Sequence, residues 1–307
     1  MLTRETMKGL YVLTITPFDQ KFRLDEDAYR ENVRRLLSLG VDGIITTGTN
    51  GEFHTLEDGE LARISRLAVK ETKGQAVTVI GASGVNTAEA IQRTRIAQEA
   101  GADAVMNVIP YYLPITKDEA FQYFRDVTSA CKDVGFILYN NPYTTQVSFD
   151  DNDFVKLQEI SAFCGTKMTG ADIYLYLNSL RRTTLRHFPL EQLWGVSNVV
   201  GGNGVMASFI YAFPHFMMKW WSAISGGDFT TALKMQHEVN VILQDAILPL
   251  IVAEGYSEVA ATKAVVDAAG FFKAGPCRKP FRTVAQERIE KLRLLFEEKF
   301  PQFLATN

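Results

Sequence analysis

Short apolar runs alternate along this chain with longer stretches in which apolar residues return every three or four positions, a pattern that predicts repeated strand and helix units. LYVLTITPF at 10–18 reads as the first strand. In the following DEDAYRENVRRLLSLG, Asp25 or a neighbour can cap a helix, Tyr29, Val33, Leu36 and Leu37 line one face, and Gly40 ends it. GIITTG and VTVIGAS read as strands on either side of a helix over about 56–73. NTAEAIQRTRIAQEA and TKDEAFQYFRDVTSAC continue as helices, and AVMNVIP and FILYNNP as strands. DDNDFVKLQEI, SAFCGTKMT, DIYLYLNSLRRTTL, QLWGVSN and the glycine-rich GGNGVMAS carry the rhythm onward.

Two helix-to-strand turns look alike, LGVDGI at 39–44 and AGADAV at 100–105, as a repeated joint two units apart would. About eight strands within roughly 200 residues predict a closed (β/α)8 TIM barrel over residues 1–226. An open dinucleotide-binding sheet lacks support, because the first strand-to-helix turn carries no GxGxxG. Beyond residue 226 the strand signals stop. FTTALKMQHEVNVILQDAILPLIVAEG, SEVAATKAVVDAAG and AQERIEKLRLLFEEK predict a helical C-terminal extension over 227–307, in which no residue looks catalytic.

Composition narrows the function. A hydrophobic share of 47% with 22% charged residues is that of a packed globular chain, and a formal net charge of −3 offers no field to hold a nucleic-acid backbone or an anionic membrane. No run approaches the ~18 apolar residues of a membrane span, and residues 1–9 lack the apolar core of a signal peptide. Three cysteines, Cys131, Cys164 and Cys277, form no CxxC pair, which suits a reducing, cytoplasmic address.

Barrel enzymes carry their chemistry at the carboxyl ends of the strands. Those ends offer Thr16-Pro17-Phe18, the GTNGE of 48–52, Pro110-Tyr111-Tyr112, Tyr139-Asn140-Asn141-Pro142, Lys167, Ser197-Asn198 and the GGNG of 201–204. Lys167 stands in an otherwise uncharged strand, where a desolvated amine is a nucleophile toward a carbonyl; a strand-end lysine that snorkels to water is the alternative. Tyr139 follows FIL at a strand end and is a candidate proton carrier or a core tyrosine. Tyr112 lies in a loop stiffened by Pro110 and Pro114, and the GTNGE loop presents N–H groups that suit a carboxylate. Glu52 and Asp172 read as general bases or as helix caps. His54, His187, His215 and His237 lack HxH or HExxH spacing, so no zinc site is expected, and Ser83 in GASG is not a nucleophile elbow. Strict alternation turns Cys164 to the face opposite Lys167.

Together these strand ends resemble the family of pyruvate-handling class I lyases and synthases that includes dihydrodipicolinate synthase and N-acetylneuraminate lyase. The resemblance runs from the TPF of 16–18 through GTNGE, PYY, YNNP and the GTK of 165–167 to GGNGVMAS. It implies that Lys167 forms a Schiff base with a 2-oxo acid, that Tyr139 moves protons, and that Thr49 and Asn50 hold the carboxylate. Tyr112 would enter the neighbouring subunit's site and relay protons with Thr49, in a homotetramer built as a dimer of dimers. Gly48, Thr144, Gly195, Ser197, Val205 and Met206 complete the substrate-binding set that the resemblance implies. Pyruvate is the implied product or donor, and no metal or organic cofactor is implied.

Departures from the family pattern bear on the substrate. Asn50 replaces the second threonine of GTTGE, and Thr144 stands where the synthases carry an arginine for a second carboxylate. Lys167, Thr169, Asp172 and Tyr174 look closer to the N-acetylneuraminate lyase pattern, yet the acidic pair of those lyases corresponds to Ser197 and Asn198 after Gly195. An aldolase or hydratase-aldolase for a smaller or less charged 2-oxo acid fits these departures, with Trp194, Tyr143 and Phe53 tolerating an apolar or aromatic tail; AAGFFKAGPCR resembles hydratase-aldolases of the same superfamily. A dihydrodipicolinate-forming synthase, a dehydratase of a 3-deoxy-2-oxo sugar acid and a non-catalytic 2-oxo-acid-binding paralogue remain as alternatives.

Overall fold

The computed structural model describes residues 1–170 and 172–305. Its first half alternates β1 (Gly9–Leu13), α1 (Glu26–Ser38), β2 (Gly43–Thr46), α2 (Asp58–Thr72), β3 (Val77–Gly81), α3 (Thr87–Ala100), β4 (Ala104–Asn107), α4 (Lys117–Ala130) and β5 (Gly135–Asn140). The short α5 (Pro142–Thr145) and α6 (Asp151–Leu157) lead to β6 (Phe163–Met168), α7 (Ile173–Arg182) and β7 (Arg186–Pro189). After α8 (Trp194–Ser197) and β8 (Gly204–Ala207), α9 (Pro214–Ser225) completes the ring. The C-terminal helices are α10 (Phe229–Ile242), α11 (Leu248–Val252), α12 (Glu258–Ala269), α13 (Gln286–Lys299) and α14 (Pro301–Leu304).

All pairings are parallel, in the order β7-β6-β5-β4-β3-β2-β1-β8, and β7 packs beside β8 across the remaining seam. This is a TIM barrel with a C-terminal helical extension. The strands read as apolar runs because they are covered on both faces. Tyr11, Leu13, Ile45, Val79, Met106, Ile137, Tyr139, Phe188 and Met206 fill the interior, with Leu2 and Met7 in the same cluster. A second, larger cluster lies between strands and helices and takes in residues of α10, α12, α13 and α14, so the extension shares the core of the outer layer. No helix among the described residues is long and apolar enough to cross a membrane.

Three expectations are corrected. The first strand stops at Leu13, because residues 15–18 leave the ladder and Thr16 Oγ1 instead donates to the Gly51 carbonyl at 2.7 Å. The seventh strand is Arg186–Pro189 and not QLWGVSN, whose residues 192–197 lie in helical turns. RHFP is too short and too polar to announce itself, while the apolar QLWGV is apolar because it is buried. Cys164 joins the barrel interior, as Lys167 does, because the β5–β6 register slips between Phe136↔Phe163 and Ile137↔Gly165. The extra residue at this bulge resets the alternation. In the extension, the long helix over 229–252 is broken by a π-turn over 243–247, where Pro249 supplies no N–H to the ladder.

Candidate active site

The parallel register places Tyr139 of β5 directly opposite Lys167 of β6. Both side chains are buried, and the Lys167 Nζ stands 3.7 Å from the centre of the Tyr139 ring. The π-face is a weak substitute for water, so the ammonium is held in place without being neutralised by a carboxylate partner. The acid in electrostatic reach of it is Glu191, just beyond β7, whose carboxyl lies on balance above the ordinary range. Glu191 is fully buried, which pushes its carboxyl up, while N–H groups of Phe209 and Ser208 and the charge of Lys167 pull it down. Glu191 was missed in the sequence because the strand preceding it was missed; a lone acid in the apolar PLEQLW was the available signal.

The GTNGE loop follows β2. Thr47 and Glu52 both take left-handed backbone conformations, with φ of 53° each. A Cβ on Gly51 would lie 2.9 Å from the Thr47 backbone, so the loop closes this tightly only with glycine there. Thr47 Oγ1 donates to the Gly81 carbonyl at 2.9 Å and the Glu52 N–H donates to the Thr49 carbonyl at 2.9 Å. Gly48 and Thr49 remain half-buried, whereas Asn50 is buried with an Oδ1 that has no partner among the described residues. A buried amide oxygen held without a partner suits a polar ligand. Gly48 also borders the interior: its Cβ would sit 3.4 Å from Met106 Cε, in the cluster that contains Tyr139.

Glu52 is neither a base at the mouth nor a cap. It is fully buried, its Oε1 lies 2.6 Å from Lys263 Nζ on α12, and its Oε2 accepts the Arg278 N–H at 2.9 Å. Asp172 does cap α7, accepting the Leu175 N–H at 2.9 Å. Tyr112 is 80% exposed in its proline-bounded loop, beside the exposed Leu113. Thr144 is exposed on α5 and accepts a hydrogen bond from Asn141 Nδ2 at 2.7 Å.

The other sequence candidates separate by face. Met206 points into the barrel and Val205 into the helical layer. Gly195 and Ser197 lie on α8: the Gly195 N–H donates to Gln236 Oε1 of α10 at 2.9 Å, and the Ser197 hydroxyl donates to the Trp194 carbonyl. The residues that follow β7 at the mouth are therefore Leu190, Glu191 and Gln192, not Ser197 and Asn198. Trp194 cannot line a substrate tail, because it is fully buried, stacks near Trp220 at 4.8 Å and donates to the Met206 carbonyl. Phe53 packs edge-on to Tyr111, and the exposed Tyr143 holds its hydroxyl near Gly170. His187 is closed off between Thr166 and Thr183 hydroxyls, and burial pulls its imidazole down to about 3. Among the described residues no three His, Cys, Asp or Glu side chains gather in a group able to hold a metal ion.

The profile of the dihydrodipicolinate synthetase family matches residues 6–299. The chain belongs to this family. Dihydrodipicolinate synthetase family members are pyruvate-dependent lyases that work through a Schiff base, and the chain is a carbon–carbon lyase of the class I aldolase type. It is similar to an N-acetylneuraminate lyase of Clostridium perfringens, with 28% identity over 96% of this chain and 100% of the relative. It is similar also to a 4-hydroxy-tetrahydrodipicolinate synthase of Methanopyrus kandleri, with 30% identity over 94% of each chain. A solved structure of a putative dihydrodipicolinate synthetase from Pseudomonas aeruginosa superposes with a TM-score of 0.84, at 25% identity, over 97% of this chain and 100% of that one.

Proposed function

We propose that the chain is a pyruvate-dependent aldolase or hydratase-aldolase whose second substrate half is small or aromatic and carries no second carboxylate. Lys167 is the nucleophile. Its neutral amine adds to the 2-oxo carbon, the carbonyl oxygen leaves as water, and the resulting iminium withdraws electrons from the adjacent carbon. In cleavage, Tyr139 takes the proton of the hydroxyl on the departing carbon, an aldehyde leaves, and the bonding pair passes into an enamine. Protonation of the enamine and hydrolysis of the iminium return pyruvate and free Lys167. Thr49 and Asn50 hold the carboxylate, and Tyr112, exposed in the single chain, serves the site of a neighbouring subunit in a dimer of dimers.

The pair of Lys167 and Tyr139 at 3.7 Å carries the reading. The rim supports its substrate preference, because Thr144 brings no cation to pair with a second carboxylate. The three buried free thiols fit a cytoplasmic address, and residues 1–226 carry the chemistry while 227–307 support it. Relatives named as a lyase and as a synthase leave cleavage and condensation as directions of the same chemistry.

The test is intact-mass spectrometry after mixing the protein with pyruvate and borohydride, alongside Lys167→Ala. One reduced adduct on the native chain and none on the folded variant is the expected result. No adduct on native protein would overturn the reading and favour a 2-oxo-acid-binding paralogue.

A further inference from the structure

A buried contact joins the extension to the end of the GTNGE loop. Lys263 of α12 is 3% exposed and Glu52 is 0% exposed, and their charged atoms lie 2.6 Å apart. Lys263 also donates to the Pro276 carbonyl at 2.9 Å and stands 4.6 Å from the centre of the Phe18 ring. The guanidinium of Arg278 covers the same ring at 4.2 Å. Arg278 is fixed in turn by the carbonyls of Phe22 and Thr55 and by both carboxylate oxygens of Glu60. Asp267, one turn further along α12, is the other acid that acts on Lys263, and it is occupied by the Ala274 N–H.

A buried ion pair is a poor source of stability, since desolvation consumes most of the attraction. Its effect here is geometric. Glu52 ends the loop that begins at Thr47, and both residues sit at positive φ, a conformation that non-glycine residues keep only when their surroundings impose it. Thr47 is tied to β3 through Gly81, so the near end of the loop is anchored to the barrel. The far end is held twice, at the Gly51 carbonyl by Thr16 Oγ1 from the barrel and at the Glu52 carboxylate by Lys263 and Arg278 of the C-terminal extension.

We infer that Glu52 is a positioning residue, by which Lys263 and Arg278 of the C-terminal extension set the Thr49–Asn50 segment that receives the 2-oxo acid's carboxylate. The inference rests on the assignment of that segment as the carboxylate holder. Misplacement by about 1 Å is enough to cost roughly a hundredfold in such a site. Release of the loop weakens capture of pyruvate, while the Lys167–Tyr139 pair, built on β5 and β6, stays in place.

The experiment measures how the rate of borohydride trapping depends on pyruvate concentration in full-length native protein, Lys263→Met, Glu52→Gln and the double variant. Lys263→Met leaves the Glu52 charge buried without its partner; Glu52→Gln keeps the acceptor for Arg278 and removes only the charge. The half-saturating pyruvate concentration is expected to rise roughly ten- to a hundredfold in each single variant with the saturated rate nearly unchanged, and to return part-way in the neutral double variant. Native half-saturation in the folded single variants would overturn the inference, as would equal loss of the saturated rate and of affinity. Should Lys263→Met fail to fold, Glu52→Gln decides alone. Absence of any adduct on native protein would overturn the Schiff-base reading, and this inference with it, and is distinguishable from both other outcomes.

Discussion

Lys167 stands on the face of Tyr139, its register partner on the neighbouring strand, with Nζ 3.7 Å from the ring centre. The ring and the hydroxyl of Tyr139 therefore do separable things. The ring supports the amine, and only the hydroxyl can carry a proton. Tyr139→Phe keeps the support and removes the carrier. The variant is expected to fold and still to be trapped by borohydride at saturating pyruvate, but to turn over about 10²- to 10³-fold more slowly. Steady-state turnover beside the trapping assay checks this; near-native turnover would remove Tyr139 from proton transfer.

The barrel and the Lys167–Tyr139 pairing of the candidate site were legible in the sequence for physical reasons that can be named. The repeated turns at 39–44 and 100–105 do the same work: Asp42 accepts the Leu10 N–H at 2.8 Å and Asp103 the Thr78 N–H at 3.0 Å, each tying a turn to the start of the strand beside it. Gly40 and Gly101 both take positive φ, as a helix end followed by a turn requires. Lys167 stood out as a lone cation in an apolar strand. The same criterion marks Lys263 in VAATKAVV, but its partner Glu52 lies near the other end of the chain, and no local pattern joins the two. The facing of Cys164 was beyond reach because alternation holds only where no bulge intervenes, and a bulge leaves no mark in composition. The misplaced seventh strand carried a second error with it, hiding Glu191 at the mouth and putting Ser197 there instead.

His187 predicts an acid sensitivity that is independent of catalysis. Its imidazole is neutral in the fold, wedged between Thr166 and Thr183, and burial takes it from an ordinary 6.5 to about 3. The unfolded chain then binds the proton first as pH falls. Stability is complete above about 6.5 and is lost on descent toward 3, by about 2 kcal/mol at pH 5. His187→Gln, whose amide can serve both hydroxyls, should lose about 2 kcal/mol less between pH 7 and pH 5 in urea unfolding. An identical loss in both proteins would show that the acid sensitivity arises elsewhere.

Thr144 offers the converse of the proposed substrate preference. Its hydroxyl is occupied by Asn141 Nδ2 and the residue is exposed on α5, so a longer side chain meets solvent and not the core. Arginine there would bring a planar, permanently charged donor to the rim. A charged hydrogen bond to a substrate carboxylate is worth about 1.5–3 kcal/mol, or roughly ten- to a hundredfold in affinity. Thr144→Arg should therefore raise the kcat/KM for pyruvate with aspartate semialdehyde by about that factor relative to a neutral aldehyde of similar size. If the ratio does not move, the second substrate approaches Lys167 by a path that avoids α5, and the proposed preference against acids is not set at Thr144.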